Sequence, residues 1–297
     1  MRADSRPGSK RGAANPGMLP PVSLRVLGDR DADETLALLR RDPIANCFLI
    51  SRLEAAGLEA WRLGAEVWGY FAGGRLDAVC YAGANLVPAG ADETAVRAFA
   101  DRARRHGRRC SSIVGPAEMA LPLWRLLEPS WGPAREVRAN QPLMATSADP
   151  SVDGDPLVRA VQRDEVDTLL PAAVAMFTEE VGVSPLAGDG GALYRARLAE
   201  LVAAGRSFAR IDDGRVVFKA EVGAVGGDTC QVQGVWVDPA LRGRGLSVAG
   251  MATVVRLIRR TIAPVVSLYV NDFNTPARRA YERVGFTQVG TFTSVLF

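Results

Sequence analysis

The segment best suited to chemistry is a short glycine-containing turn in the last quarter of the chain. It reads Gln233-Gly-Val-Trp-Val-Asp-Pro-Ala-Leu-Arg-Gly-Arg-Gly-Leu-Ser247, which is typical of a strand, a turn and the start of a helix. Gly243 and Gly245 allow successive backbone N–H groups to converge without a Cβ clash. The N-terminus of the helix adds the positive end of its dipole. The segment therefore predicts a cradle for an anion such as a pyrophosphate.

Two motifs narrow the choice of phosphate ligand. The third glycine of a dinucleotide-binding G-x-G-x-x-G is replaced by Val248, and the G-K-[ST] ending of a P-loop is absent. Arg242-x-x-Gly245-x-Ser247 instead resembles the acetyl-CoA loop of the Gcn5-related N-acetyltransferases (GNAT family), usually written Q/R-x-x-G-x-G/A. The segment from Asn274 to Phe286 resembles the late signature of that family, N-x-x-A-x-x-x-Y-x-x-x-G-F, and begins 29 residues after Gly245.

The resemblance covers about residues 157–297 and implies roles for individual positions. The strand before the turn would bind the pantetheine arm through its backbone, and the turn amides would hold the pyrophosphate. Asn274 would contact or orient the pantetheine, with helix capping as the simpler alternative. Tyr281 would protonate the departing CoA thiolate, with core packing as its alternative. The implied acetyl-CoA-binding residues are Val235, Trp236, Val237, Arg242, Gly243, Arg244, Gly245, Leu246, Ser247, Asn274, Ala277 and Arg278.

The general base and the acceptor site are less well defined by these motifs. The family often has a glutamate near the position of Gln231, and glutamine cannot accept the proton. Glu221 on the preceding strand is the alternative catalytic residue, although a pair with Lys219 would also explain it. An amine that loses its proton to water needs no dedicated base. The candidate acceptor-binding residues, at the end of the first long helix of this domain, are Phe177, Glu179 and Glu180.

The elements that must position these residues follow the order β-α-α-β-β-β-α-β-α-β in the second half, and the first half repeats that order more faintly. We therefore expect an α+β protein of two tandem GNAT-like domains, each a mixed, mostly antiparallel sheet flanked by helices. The predicted boundaries are a disordered tail over 1–21, a degenerate GNAT-like domain over 22–146, a linker over 147–156 and the acetyl-CoA-binding domain over 157–297.

The first half lacks the acyl-CoA loop. The equivalent stretch, Ala82–Thr94, has no R-x-x-G-x-G/A pattern, and Asp92 and Glu93 at the following helix start would repel a phosphate. We predict that this half does not bind CoA, an arrangement similar to actinobacterial two-domain acetyltransferases. It would shape the acceptor pocket or cover a sheet edge. Only 11 residues follow Phe286, so the last strand of the second half is either missing or replaced by an edge of the first half.

Composition excludes several other classes. The net charge is +3, and residues 1–20 account for all of it, so the remainder is neutral and a nucleic-acid partner is not expected. Four scattered cysteines and one histidine, His106, argue against a metal site. No secretory signal and no apolar run of about 18 residues is evident, which predicts a cytoplasmic protein without a membrane partner.

Together these features predict an acyltransferase of groups other than aminoacyl groups. It would move an acetyl or similar acyl group from acetyl-CoA, its only cofactor, to a primary amine by direct attack. The acceptor would be a small molecule or a protein amine, and the enzyme a monomer or homodimer. The alternative is a catalytically weak acyl-CoA-binding sensor or pseudoenzyme.

Overall fold

The computed structural model describes residues 22–186 and 190–297, so the tail predicted for 1–21 lies outside the described residues. The first half contains β1 (Val22–Val26), α1 (Ala32–Leu39), α2 (Cys47–Ala56), α3 (Ala60–Leu63), β2 (Glu66–Ala72), β3 (Arg75–Ala82), β4 (Asn85–Ala89), α4 (Glu93–His106), β5 (Ser112–Pro116), α5 (Ala117–Trp131) and β6 (Glu136–Thr146). The second half contains β7 (Arg159–Ala160), α6 (Val166–Val181), α7 (Ala192–Ala203), β8 (Ser207–Asp212), β9 (Arg215–Gly226), β10 (Thr229–Val237), α8 (Leu246–Thr261), β11 (Val265–Tyr269), α9 (Thr275–Val284) and β12 (Thr287–Leu296).

Local sequence explains the elements around the site. Helix α8 carries a stripe of apolar residues, among them Met251, Val255 and Ile258, which are fully buried in the core of the second half. Helix α9 starts with Pro276 in its first turn and ends at Gly285, whose φ of 107° is open to glycine and strained for other residues. These signals place the first turns of both helices at one end of the sheet.

The twelve strands of residues 22–186 and 190–297 form one sheet, in the order β1-β2-β3-β4-β5-β12-β6-β11-β10-β9-β8-β7. The neighbouring strands are antiparallel except for two parallel pairs, β4 with β5 and β10 with β11. Each parallel pair belongs to one half of the chain, and helices pack against the sheet in both halves. The predicted α+β class, with two mostly antiparallel GNAT-like units, is confirmed.

The two halves exchange their last strands. Strand β6 of the first half pairs with β11 of the second, and β12 of the second half pairs with β5 of the first. The two exchanged strands also pair with each other in the middle of the sheet. Of the two alternatives for the short C-terminus, the structure shows that the first half supplies the missing neighbour, so β11 is not left as an edge.

Two parts of the chain differ from the expectations. Strand β4 occupies a stretch that was expected to be a loop. The expectation differed because Pro88 and the short length of the strand hide its pattern.

The segment predicted as a linker, 147–156, is docked along α8: the Arg256 guanidinium donates to the backbone oxygens of Pro150 and Val152 at 2.8 and 2.6 Å. Buried Asp155 accepts from Arg210 at 3.0 Å. This segment therefore connects the halves and also contributes fixed contacts to the second one.

Candidate active site

A cleft opens where β10 and β11 separate. The two strands are paired only from Thr229–Gln231 to Val265–Ser267, and beyond that point their facing edges diverge. A β-bulge between Gln233 and Trp236 bends β10 away from its neighbour. The resulting cleft has a volume of about 780 Å³ and is lined by both diverging strands, α8, α9 and the end of α6. Its diverging edges offer backbone groups to an extended ligand.

A buried ion pair holds the bulge in place. Lys219 on β9 is fully buried, and its ammonium donates to the backbone oxygen of Gly234 at 2.8 Å and to Glu221 at 3.3 Å. The other oxygen of Glu221 accepts from the Gln233 side chain at 2.9 Å. Gly234 has a φ of 61°, and a Cβ there would come within 3.0 Å of the Lys219 ammonium. Charge, hydrogen bonding and the absence of a side chain thus fix the kink in β10.

The turn before α8 has an open backbone geometry and no side-chain cap. Gly243 and Gly245 both have left-handed backbones, with φ of 78° and 81°, and open space lies where their Cβ atoms would stand. Helix α8 begins at Leu246 with Gly245 as its N-cap, and no side chain caps it. Ser247 therefore lies inside the first turn of α8 and does not cap the helix. The first N–H groups of α8 keep their hydrogen-bonding capacity for a ligand.

The corresponding helix of the first half is already capped. The Asp92 carboxylate accepts from the Ala95 amide at 2.8 Å at the start of α4. Strands β4 and β5 also stay close together, since a Cβ on Gly115 would lie 3.4 Å from the backbone oxygen of Pro88. Both observations give physical support to the prediction that this half does not bind CoA.

Helix α9 places Tyr281 and Asn274 in the wall of the cleft. The ring of Tyr281 is buried, and burial raises its pKa above the ordinary value of a phenol, with a further contribution from the Glu180 carboxylate. The Asn274 side chain accepts from the Ala277 amide at 3.2 Å and so caps α9. Capping and lining of the cleft coexist at this residue.

The end of α6 crosses the cleft and is tied to both of its sides. Glu179 forms a two-pronged ion pair with Arg242 of the turn, at 2.8 and 2.7 Å, and this bond holds the pKa of Glu179 below its usual range. Glu180 accepts from Arg138 of β6 at 2.6 Å. The first ion pair commits the Arg242 guanidinium to α6, so a phosphate would meet the backbone of the turn and not this side chain.

Comparison with known proteins decides the family. Residues 179–286 match the acetyltransferase (GNAT) family, and residues 65–169 match a domain of unknown function, DUF4081. The carboxyl-terminal domain belongs to the GNAT family. No match was found among curated proteins.

Solved structures show the same fold over nearly the whole chain. A GNAT acetyltransferase from Colwellia psychrerythraea is 11% identical, with a TM-score of 0.57 over 93% of this chain and 99% of that one. A Gcn5-related N-acetyltransferase from Sphaerobacter thermophilus is 17% identical, with a TM-score of 0.57 over 94% and 97%. A tandem GNAT protein from the clavulanic acid biosynthesis pathway is 14% identical, with a TM-score of 0.50 over 93% and 98%. At these identities the likeness shows a tandem GNAT fold and nothing finer.

Most of the predicted site residues of this GNAT domain line one cleft. The lining includes Val235, Trp236, Val237, Arg242, Gly243, Gly245, Leu246, Ser247, Asn274, Ala277, Tyr281, Glu179 and Glu180. Four predicted residues do not line it. Arg244 is exposed, Arg278 donates to the backbone oxygen of Asp272 at 3.2 Å, and Phe177 packs edge-on against Tyr194. Glu221 is buried behind Gln233, whose side-chain NH₂ group donates a hydrogen bond to the Glu221 carboxylate.

Other lining residues were not predicted. Arg279 and Arg283 face the cleft from α9, where their neighbour Arg278 was expected. The first half adds a larger group that reaches the site only because of the strand exchange: Asn85, Ser112, Val114, Arg138 and Gln141. Arg279 and Arg283 are four residues apart and share one face of α9, but they lie two positions from Tyr281, so a helical wheel centred on that residue would not have identified them. No local pattern distinguishes the residues of the first half.

Within residues 22–186 and 190–297, no group of three histidine, cysteine, aspartate or glutamate side chains is placed to hold a metal ion. In the same ranges no helix combines the length and the hydropathy that crossing a membrane requires.

Proposed function

We propose that this protein transfers an acetyl or similar small acyl group from acetyl-CoA to a primary amine, which attacks the thioester directly. The observation that carries the proposal is the uncapped, glycine-lined N-terminus of α8 at the mouth of a cleft between two diverging strands. Phosphate groups bind at such helix starts, and an extended amide chain can add to such strand edges.

The residues present fit CoA in three places. Backbone N–H groups from Gly243 to Ser247 would hold the diphosphate, for which α8 supplies no competing side chain. The diverging edges of β10 and β11 would receive the two amides of the pantetheine arm. Arg279 and Arg283 on α9 bring positive charge to the same cleft, which suits a ligand with several phosphate charges. Bound there, acetyl-CoA supplies an acyl group activated as a thioester.

The chain's own groups would handle the reaction as follows. The amine nitrogen forms a bond to the acyl carbon, the carbon–sulfur bond breaks, and the sulfur leaves as a thiolate. Tyr281 gives its phenolic proton to that sulfur, since a phenol with a raised pKa is neutral at physiological pH. The bulge in β10 orients its backbone donors toward the acyl oxygen, and the buried Lys219 keeps that bulge rigid.

The ion pairs in the cleft bear on how the amine nitrogen loses its proton. Among the described residues, Glu179 and Glu180 are the carboxylates that line the cleft, and both are engaged by arginines. Glu221 touches the cleft only through Gln233. We therefore infer that the acceptor enters as the neutral amine, that the proton which its nitrogen loses on becoming an amide passes to water, and that the Tyr281 phenolate then regains a proton from water. Glu221 acts by positioning Gln233.

Replacing Gly245 with glutamate tests the binding mode. The glutamate would have to adopt a positive φ, which strains its backbone, and its negative charge would repel the diphosphate. Stabilisation by acetyl-CoA should therefore disappear. Without the change, a ligand at a hundredfold its dissociation constant adds about 2.7 kcal/mol, a Tm rise of several degrees. Gly214→Glu is the matched control, because Gly214 has a φ of 73° with open space around it, in the turn between β8 and β9.

The two variants separate the outcomes. We expect Gly214→Glu to lower the Tm of the free protein yet retain the rise with acetyl-CoA. If Gly245→Glu retained that rise as well, the cradle would not be the diphosphate site. Release of free CoA in the presence of an amine panel, measured with a thiol reagent, then separates a transferase from a protein that only binds acyl-CoA.

A further inference from the structure

A line of hydrogen bonds crosses from the first half of the chain into the cleft. It starts at Arg138 of β6, whose guanidinium donates to a Glu180 oxygen at 2.6 Å. The same oxygen accepts from the Asn271 side chain at 3.3 Å, and the Asn271 oxygen accepts from Gln141 at 2.8 Å. All four residues line the cleft. The line therefore ends at an amide in the cleft wall that comes from the exchanged strand β6.

The direction of this line is fixed by chemistry. The Glu180 carboxylate can only accept, so Asn271 must turn its NH₂ group toward it and its oxygen toward Gln141. Gln141 must then give its own NH₂ group to Asn271, which leaves the Gln141 Oε1 atom pointing elsewhere. That oxygen is buried and has no hydrogen-bond partner among the described residues, and Gln141 as a whole is only 2% exposed.

An unpaired buried carbonyl oxygen is costly, which is why nearly all such groups in proteins have a partner. This one is an acceptor, so the group that it lacks is an N–H or O–H donor. The neighbouring guanidinium, Arg138, is already shared by two carboxylates, Glu136 and Glu180. A ligand at this position would thus meet a hydrogen-bond acceptor whose neighbouring charges are already paired with one another.

We propose that Gln141 is a specificity-determining residue of the acceptor subsite, and that the acceptor is a primary amine with a second N–H or O–H group that donates to Gln141 Oε1. This inference rests on the proposed function and adds the acceptor class to it. Arg138, Glu180 and Asn271 are positioning residues that hold the Gln141 amide in its orientation. The first half then contributes directly to substrate choice through the exchanged strand.

Matched pairs of amines test the proposal on the full-length protein. The probes are amino alcohols with two to six carbons between nitrogen and oxygen, each compared with its O-methyl ether, which lacks the donor. Two readouts are taken: kcat/KM with acetyl-CoA, and the Tm rise that each amine causes in the presence of CoA, which needs no turnover. The variants are Gln141→Leu and Gln141→Met, and Gln288→Leu, at an exposed position of β12, is the control.

In the wild type we expect one or more alcohols to exceed their ethers by about tenfold or more in kcat/KM, because the ether leaves the buried oxygen unpaired. The same alcohols should give the larger Tm rise. In either Gln141 variant, alcohol and ether should give nearly equal kcat/KM values and nearly equal Tm rises, while the KM for acetyl-CoA stays unchanged. Gln288→Leu should retain both differences between alcohol and ether. The wild-type preference is informative even if a Gln141 variant does not fold.

The remaining outcomes separate this inference from the proposed function. Turnover at equal rates within every pair, unaffected by Gln141→Leu, would overturn the subsite and leave acyl transfer intact. A donor-dependent Tm rise that Gln141→Leu abolishes, without turnover of any amine, would support the subsite and overturn the transferase. Neither turnover nor a Tm difference in any pair would overturn both.

Discussion

Tyr281 is the residue on which the proposed proton transfer depends. It lies on the buried side of α9, where burial and then the Glu180 carboxylate raise the pKa of its phenol. Because the pKa in the folded protein is above the ordinary value of about 10, the proton is present at every pH below that value and is lost only as the pH rises past it. Tyr281 is thus suited to donate a proton and not to accept one.

Replacing Tyr281 with phenylalanine should slow the reaction without weakening acetyl-CoA binding. Loss of a general acid lowers kcat by about a hundredfold or more, whereas the dissociation constant should change by less than about threefold. Tyr194→Phe is the matched control, since its hydroxyl donates to Ala173 at 3.0 Å outside the cleft lining. Equal losses in kcat and in binding for the Tyr281 variant would assign the residue to packing.

The wild-type pH profile gives a second check on the same residue. With a raised pKa, Tyr281 stays protonated between pH 8 and about pH 10, so kcat should show no fall on the alkaline side of that interval. A decline centred below pH 10 would mean that the essential acid is another group. Stopped assays with purified protein at constant ionic strength would measure this.

At the scale of elements, the bulge in β10 depends on charges buried beneath it. Replacing Lys219 with methionine would leave the Glu221 carboxylate buried without its cation. This should lower the free energy of unfolding by about 3–5 kcal/mol. The double variant with Glu221→Gln should recover most of this loss, because a neutral amide still accepts from Gln233. Urea denaturation measures both, and Arg97→Met in the exposed Arg97–Glu93 pair is the control, which should leave the free energy of unfolding nearly unchanged.

Recovery in the double variant is the decisive part of that experiment. If the single and double variants were equally unstable, the lysine would matter through its own packing and its bond to Gly234, not through the charge of Glu221. If Lys219→Met matched the wild type, the pair would contribute nothing to the bulge.

Elements with strong local signals could be predicted from the sequence. The order of the second half was correct because Gly245, Pro276 and Gly285 mark helix ends and because α8 has a clear apolar stripe. Strand β4 was missed because Pro88 breaks its pattern, and it is held instead by neighbours β3 and β5. The bulge in β10 could not be predicted either, since it depends on the buried Lys219 of the neighbouring strand β9.

Only the part of the site that the second half of the chain supplies could be predicted from the sequence. Glycines and a tyrosine at fixed spacing identified the turn and α9, and both line the cleft. Gln141 carries no local signal, because its place in the cleft follows from the pairing of β6 with β11 across 120 residues or more. A sequence pattern specifies which residues face one side of a strand, but not which distant strand becomes the neighbour.

At the scale of the whole molecule, the exchange makes the halves interdependent. Strand β6 fills the place beside β11, and β12 fills the place beside β5, so neither half has a complete sheet without the other. Helix α2 of the first half also meets β9, where the Ser51 hydroxyl accepts from the Val225 amide at 3.3 Å. A first half that cannot bind CoA would therefore still be required for a stable and selective second half.

Cleaving the chain between the halves tests this interdependence. A protease site inserted between exposed Ser147 and Ala148 should be cut in the native protein, and the two fragments should remain together on gel filtration with the acetyl-CoA-dependent Tm rise intact. They should separate only in denaturant, because the strand pairs that join them lie in the middle of the sheet. Residues 148–297 expressed alone should aggregate, since β11 and β12 would both present unpaired edges, and co-expression with residues 1–147 should restore a soluble complex. Fragments that separate in native buffer, with acetyl-CoA binding retained by the second alone, would show that the halves are independent domains and that the exchanged strands do not hold them together.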